Sequence, residues 1–130
     1  MDAPQHNLVL ILARDFASRL ATAVFLVDPD GTLIYFNEAA EEVLGQPFGE
    51  GRGMSAAEWS TAFEPVDEDG SPLPLEGMPL GIALGERIPA HRAFRIVGRD
   101  GVARGIEVTA FPLFAHADEF VGAIAIFWES

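Results

Sequence analysis

The stretch DPDGTLIYFNEAAEEVLG, residues 28–45, holds a turn, a strand and a capped helix in succession. Asp28-Pro29-Asp30-Gly31 has turn chemistry, since proline fixes φ and glycine accepts positive φ. AVFLVD (23–28) precedes it and TLIYF (32–36) follows it. Two β-branched and aromatic runs on either side of such a turn predict a β-hairpin. Asn37 then opens a helix as its N-cap, with Glu38, Glu41 and Glu42 near the positive end of the helix dipole. Gly45 and Pro47 stop that helix.

Toward the N-terminus, residues 8–20 place Leu8, Leu12, Phe16 and Leu20 four apart, with Val9 and Ala13 alongside. That spacing predicts a helix with one apolar stripe, and Asn7 offers an N-cap. Toward the C-terminus, GQPFGEGRG (45–53) carries four glycines and reads as a loop. Ser55-Ala56-Ala57-Glu58 is a capping-box pattern for a short helix bearing Trp59 and Phe63 and ended by Pro65. Residues 59–66 also fit an extended segment. The acidic, proline-rich stretch 66–77 reads as turns. MPLGIALGER (78–87) reads as a helix, with Pro79 tolerated in its first turn. Three strands close the chain, at 88–97, 102–114 and 120–128, and the last is apolar on both faces. Such a strand suits the covered centre of a sheet.

A chain of 130 residues fits one domain. Its 49% hydrophobic and 22% charged residues are those of a globular protein. It has no cysteine, which removes disulfides, thiolate metal sites and cysteine nucleophiles together. All eight basic residues are arginine, and twenty acids set the net charge at -12. So acidic a surface argues against DNA, RNA and anionic lipid as partners. The apolar run Leu8–Ala13 is too short to span a bilayer and follows Asp2 rather than a basic segment. The expectation is a cytoplasmic protein, with no membrane partner.

Taken in order, DPDGTLIYFNEAAEEVLG (28–45), DEDGSPLPLEGMPLGIALGERIP (67–89), GRDGVARGIEVTAFPLF (98–114) and VGAIAIFWE (121–129) resemble segments of a PAS domain of the kind common in bacterial signalling. The resemblance covers about residues 24–129. It implies an α+β fold: a five-stranded antiparallel sheet of order 2-1-5-4-3, short helices on one face and a potential ligand pocket between them. Residues 1–22 then form a flanking helix and 23–130 the PAS domain. It also implies sensing and protein–protein signalling without catalysis. Photosensing flavin members use a cysteine in a short helix to form an adduct, and this chain has none. Haem-binding members use an axial histidine, typically in the central helix, and residues 78–87 contain none. Neither haem nor a flavin adduct is expected, although binding a flavin loosely needs no cysteine; a pocket ligand, if there is one, is expected to be small and largely apolar. The chain ends where larger relatives continue into output modules, and its Met1 start favours a stand-alone protein over a segment cut at a domain boundary.

Residues that could touch a ligand follow from the same reading. Trp59, Phe63 and Met78 belong to the segments that wall the pocket in PAS folds, and their aromatic and thioether groups suit an apolar occupant. Tyr35 and Phe36 alternate faces, so one can line the pocket while the other packs outward. Asn37 is either a pocket hydrogen-bonder or simply a cap. His91 lies in a strand, whereas His6 and His116 look terminal and loop-borne, and scattered histidines make no zinc site. Arg92 and Arg95 point to opposite faces, and one could meet an anionic group. Asp67-Glu68-Asp69-Gly70 lacks the calcium-loop spacing, with Pro65 where the first aspartate belongs. Gly49–Gly53 lacks the strand and lysine of a phosphate loop.

Three functions remain in view. The first is a cytoplasmic sensor that binds a small ligand or an unidentified signalling partner. The second is a structural dimerisation module with a filled core, and the third a small cone-shaped enzyme using His91 with a carboxylate. The first helix is apolar nearly all round at its start, which predicts a homodimer through Leu8, Leu12, Phe16 and Leu20.

Overall fold

The computed structural model describes residues 3–51, 53–116 and 118–130. Its hairpin is the one read from the turn: β1 (Ala23–Val27) and β2 (Leu33–Phe36) run antiparallel, with Phe25 opposite Phe36. The Asp28 carboxylate accepts from the N–H groups of Asp30 (2.9 Å) and Thr32 (3.0 Å), which fixes the turn. After β2 come α2 (Glu38–Leu44), α3 (Phe48–Gly51), α4 (Ala56–Ala62), a 3-10 turn at Leu75–Gly77 and α5 (Pro79–Gly85). Strands β3 (Ala90–Val97), β4 (Ala103–Phe114) and β5 (Phe120–Glu129) complete the chain. The sheet order is β2-β1-β5-β4-β3, with the doubly apolar strand at its centre, as expected. β5 pairs antiparallel with both β1 and β4.

Alternation along the strands separates two cores. Phe25, Phe94, Ile106, Val108, Ala125 and Phe127 point inward beneath α2, α4 and α5. Val24, Leu26 and Ile124 point to the outer face, where α1 (Ala3–Ser18) lies. This corrects two readings of the first helix, the Asn7 cap and the outward place of Leu20. The helix begins at Ala3, so Asn7 lies inside it and is not its cap. The sheet is met by Leu10, Ala13, Ala17 and Leu20, not by the Leu8–Leu12–Phe16 stripe. Ala13 and Ala17 let the helix axis approach the strands closely, and Leu10 and Leu20 pack beside them. Leu8, Ile11, Leu12 and Phe16 are each more than half exposed.

The glycine-rich stretch 45–53 is not all loop, because α3 forms within it. Tertiary contacts override composition there. The Phe48 N–H donates to the Glu41 carboxylate (2.7 Å), and the Phe48 ring meets Tyr35 and Phe36 edge-on at 5.4 and 5.3 Å. The Ser55 capping box forms in full, with both reciprocal bonds present.

Both outer strands are partly covered by irregular chain. On β2, the Leu33 N–H donates to Met54 O (2.8 Å) and Leu33 O accepts from Gly53 (3.1 Å). On β3, Arg95 exchanges two backbone bonds with Val66, and the Val97 N–H donates to Phe63 O (2.7 Å).

The turn joining β3 to β4 is held by Asp100, whose carboxylate accepts from the Arg104 guanidinium (2.8 and 3.2 Å) and the Val102 N–H (3.1 Å). First the guanidinium and then the N–H hold the carboxyl well below its ordinary range, at about 2. A folded pKa below the unfolded one stabilises the protein above the ordinary carboxylate range and is lost as pH falls toward 2. Carboxyl-detected NMR titration is expected to place the Asp100 midpoint near 2, and Arg104→Gln to move it upward. A midpoint near 4 in the wild type refutes the assignment. Among the described residues, no helix is long and apolar enough to cross a membrane.

Candidate functional site

Between the inner sheet face and the layer of short helices lies a cavity of about 70 Å³. Phe25, Phe94, Ile96, Ile106, Val108, Ala125 and Phe127 form its sheet wall, and Leu44, Trp59, Phe63, Pro65, Met78, Pro79 and Leu80 its helical wall. Every lining residue is buried except Met78, which is half-buried. Among the described residues, no ionisable side chain, histidine or amide lines it.

Local sequence explains how the apolar groups are held. The capping box sets the start of α4, so Trp59 points at the sheet and packs edge-on against Phe25 with ring centres 5.6 Å apart. The indole N–H donates to Gly31 O at 2.6 Å, which ties α4 to the hairpin turn. That bond satisfies the indole's polar atom, so Trp59 offers the cavity hydrocarbon surface only. Met78 precedes Pro79, the first residue of α5, and its N–H donates to Leu75 O (3.1 Å). Gly81 is required where α5 lies on the 3-10 turn: a Cβ there would stand 1.8 Å from Leu75 O.

Three expected site residues therefore meet, namely Trp59, Phe63 and Met78. Arg92 lies on the inner face but does not line the cavity. Its guanidinium donates to the Asp67 carboxylate and to Gly77 O (3.2 Å), joining the two irregular segments that carry Pro65 and Met78. It meets a carboxylate, as its chemistry suggested, but one belonging to the chain itself.

The remaining expected residues fall elsewhere. Asn37 is buried and makes no part of the lining. Its Oδ1 accepts from the N–H groups of Val24 and Ala40, both at 3.0 Å. Its Nδ2 donates to the carbonyls of Ala17 and Thr22, both at 2.9 Å. It caps α2 and also clasps the end of α1 to β1, a role the capping pattern alone does not announce. Tyr35 packs with the outer core, with the Arg14 guanidinium 4.9 Å from its ring centre, whereas Phe36 joins the inner one. His91 is on the outer face because the strand alternates, with Arg92 and Phe94 inward. Its Nε2 lies 3.1 Å from Glu107 and its ring 6.0 Å from Trp128. The histidine–carboxylate pair that an enzyme would need thus exists, but across the sheet from the cavity.

Sequence reasoning did not single out Phe94, Ile96, Ile106, Val108 or Phe127 as lining residues. Their signal was the inward parity of β3, β4 and β5, which becomes usable once the register is known.

A family model described as the PAS fold matches residues 17–129. No curated protein matches the chain. Among solved structures, the PAS domain of a protein from Colwellia psychrerythraea is similar at TM-score 0.65 and 16% identity, covering 94% of this chain and 97% of that one. The PAS domain of nitrogen regulation protein NR(II) from Vibrio parahaemolyticus gives 0.63 and 18%, covering 92% and 98%. The LOV domain from the Erythrobacter litoralis EL346 blue-light activated histidine kinase gives 0.66 and 18%, covering 85% and 97%. At these identities the structural likeness concerns the fold.

Proposed function

The chain belongs to the PAS fold family, whose members are signalling sensor modules, and from that premise we propose that it is a non-catalytic sensor reading a small apolar molecule in its inner cavity. The observation that carries this is the cavity itself, walled by hydrocarbon and bounded on one side by the sheet. Strands β1 and β5 face two ways. Phe25, Ala125 and Phe127 border the cavity, while Val24, Leu26 and Ile124 bear α1. An occupant that favours one arrangement of these strands biases the seating of α1 on the other face. That gives a route from ligand to an unidentified signalling partner. Haem and flavin do not suit these residues, since the lining offers neither an axial histidine nor hydrogen-bonding side chains for a flavin ring. Among the described residues no ionisable group enters the lining, which supports the non-catalytic reading.

Signalling would pass through a homodimer. The outward residues Leu8, Ile11, Leu12 and Phe16, 54–61% exposed, make an apolar surface of a kind that monomers usually cover. Leu20 serves the protein's own sheet instead. We place 1–22 as the flanking helix and 23–130 as the sensor domain, in a cytoplasmic protein without nucleic-acid or membrane partners. A purely structural dimer with a filled core draws support from the modest cavity volume.

Methyl-detected NMR of the lining residues in protein equilibrated with small apolar molecules tests the sensor reading: saturable shifts are expected, and their absence favours the structural one. Light scattering at micromolar concentration tests the dimer. The expected mass is twice 14.0 kDa, falling to the single value when Leu12 and Phe16 are both replaced by serine. A wild-type monomer sinks the dimer.

A further inference from the structure

We propose that the cavity accepts only uncharged molecules without hydrogen-bonding groups, of about three or four carbon atoms, admitted past Met78 through a layer whose charge turns anions away. The inference rests on the sensor reading above. Size comes first. About 70 Å³ is roughly half of an engineered apolar cavity of about 150 Å³ that holds one benzene. An occupant much beyond four carbons has no room unless the wall moves.

Chemistry comes second. The lining's one polar side-chain atom, the Trp59 indole N–H, is already bonded to Gly31 O. A ligand hydroxyl, amide or carboxylate would therefore give up its water and find no partner, which is costly for a neutral group and far more so for a charged one.

Charge comes third, and it is unevenly spread. Residues 28–86 carry thirteen acids and one arginine, a net charge of -12, whereas 1–27 and 87–130 each balance to zero. The excess thus belongs to the segment that forms β2 and the helical layer, the solvent-side wall of the cavity. Glu64 stands between the lining residues Phe63 and Pro65, and Glu76 two positions before Met78. Arg92 offsets Asp67 beside Gly77, and over a screening length of about 8 Å the remaining excess of one sign depletes anions at the surface.

Met78 is the movable part. It is the half-buried member of an otherwise buried lining, on an unbranched, flexible side chain. Arg92 fixes the backbone beside it through Gly77 O, so the side chain moves while the wall stays in place.

The test uses three probes with the same four-carbon chain on the intact protein: n-butane, 1-butanol and butanoate. Methyl-detected NMR follows Met78, Leu80, Ile96, Ile106 and Val108. Butane is expected to shift these methyls saturably, with a Kd no tighter than about 40 µM given the ceiling on binding per atom. Butanol is expected to bind at least about tenfold more weakly, and butanoate at least about a hundredfold. Butanol or butanoate binding as tightly as butane overturns the ligand class and leaves the sensor reading standing. If none of the probes binds, both fall. Met78→Ala is expected to speed butane exchange; an unchanged exchange rate overturns the role of Met78.

Discussion

Gly122→Ala is expected to destabilise the protein by about 3 kcal/mol or more, although alanine normally stiffens the unfolded chain to advantage. Gly122 lies in the central strand with φ +150, a backbone conformation that side chains rarely adopt. A Cβ there would stand 2.4 Å from Val27 O and 3.2 Å from Leu10 of α1. The first atom is backbone and cannot yield without parting β1 from β5. Unfolded-state gains from Gly→Ala amount to about 0.4–1 kcal/mol. Backbone strain and overpacking cost about 1–3 kcal/mol each, so they win. Urea unfolding measures the difference, and a variant within 1 kcal/mol (about fivefold in the equilibrium constant) of the wild type refutes the close-approach account.

Asn37→Ala is expected to cost about 3 kcal/mol. A helix cap is worth about 1 kcal/mol, and leaving the Val24 N–H buried without its acceptor adds about 1–3 kcal/mol. Asn37→Asp separates the two duties of the side chain. An aspartate still accepts from Val24 and Ala40 but cannot donate to Ala17 and Thr22, and its charge repels their carbonyls. It should therefore keep α2 while loosening α1, seen as faster amide exchange and proteolysis around residues 17–22 with the sheet still protected. Uniform protection throughout the chain contradicts the clasp.

Local instructions were legible and distant ones were not. The Asp28–Gly31 turn, the Asn37 cap and the Ser55–Glu58 box each complete their bonds within a few residues, so the sequence alone declares them. The central placement of β5 was equally open, because both its faces are apolar. Helix α3 was hidden because its anchor, Phe48, contacts Tyr35 and Phe36, which belong to another element. The docking face of α1 was hidden for a different reason. Its apolar residues surround the axis, and the choice of Leu10, Ala13 and Ala17 depends on how closely the sheet lets the helix approach. Trp59, Phe63 and Met78 were reached through the resemblance. The strand residues facing them waited on register, and so did the placement of His91 on the far side.

The covered rims of the sheet, at Leu33 and at Arg95–Val97, bear on how the protein behaves when crowded. Unpaired strand edges are the templates on which chains zip into fibrils. Here Met54 and Gly53 on one side, and Val66 and Phe63 on the other, already occupy those backbone groups. Growth of a shared sheet through these positions would first have to peel these segments away. Concentrated stocks should accordingly associate through faces, disperse on dilution, and stay silent to amyloid dyes until the native state itself is lost.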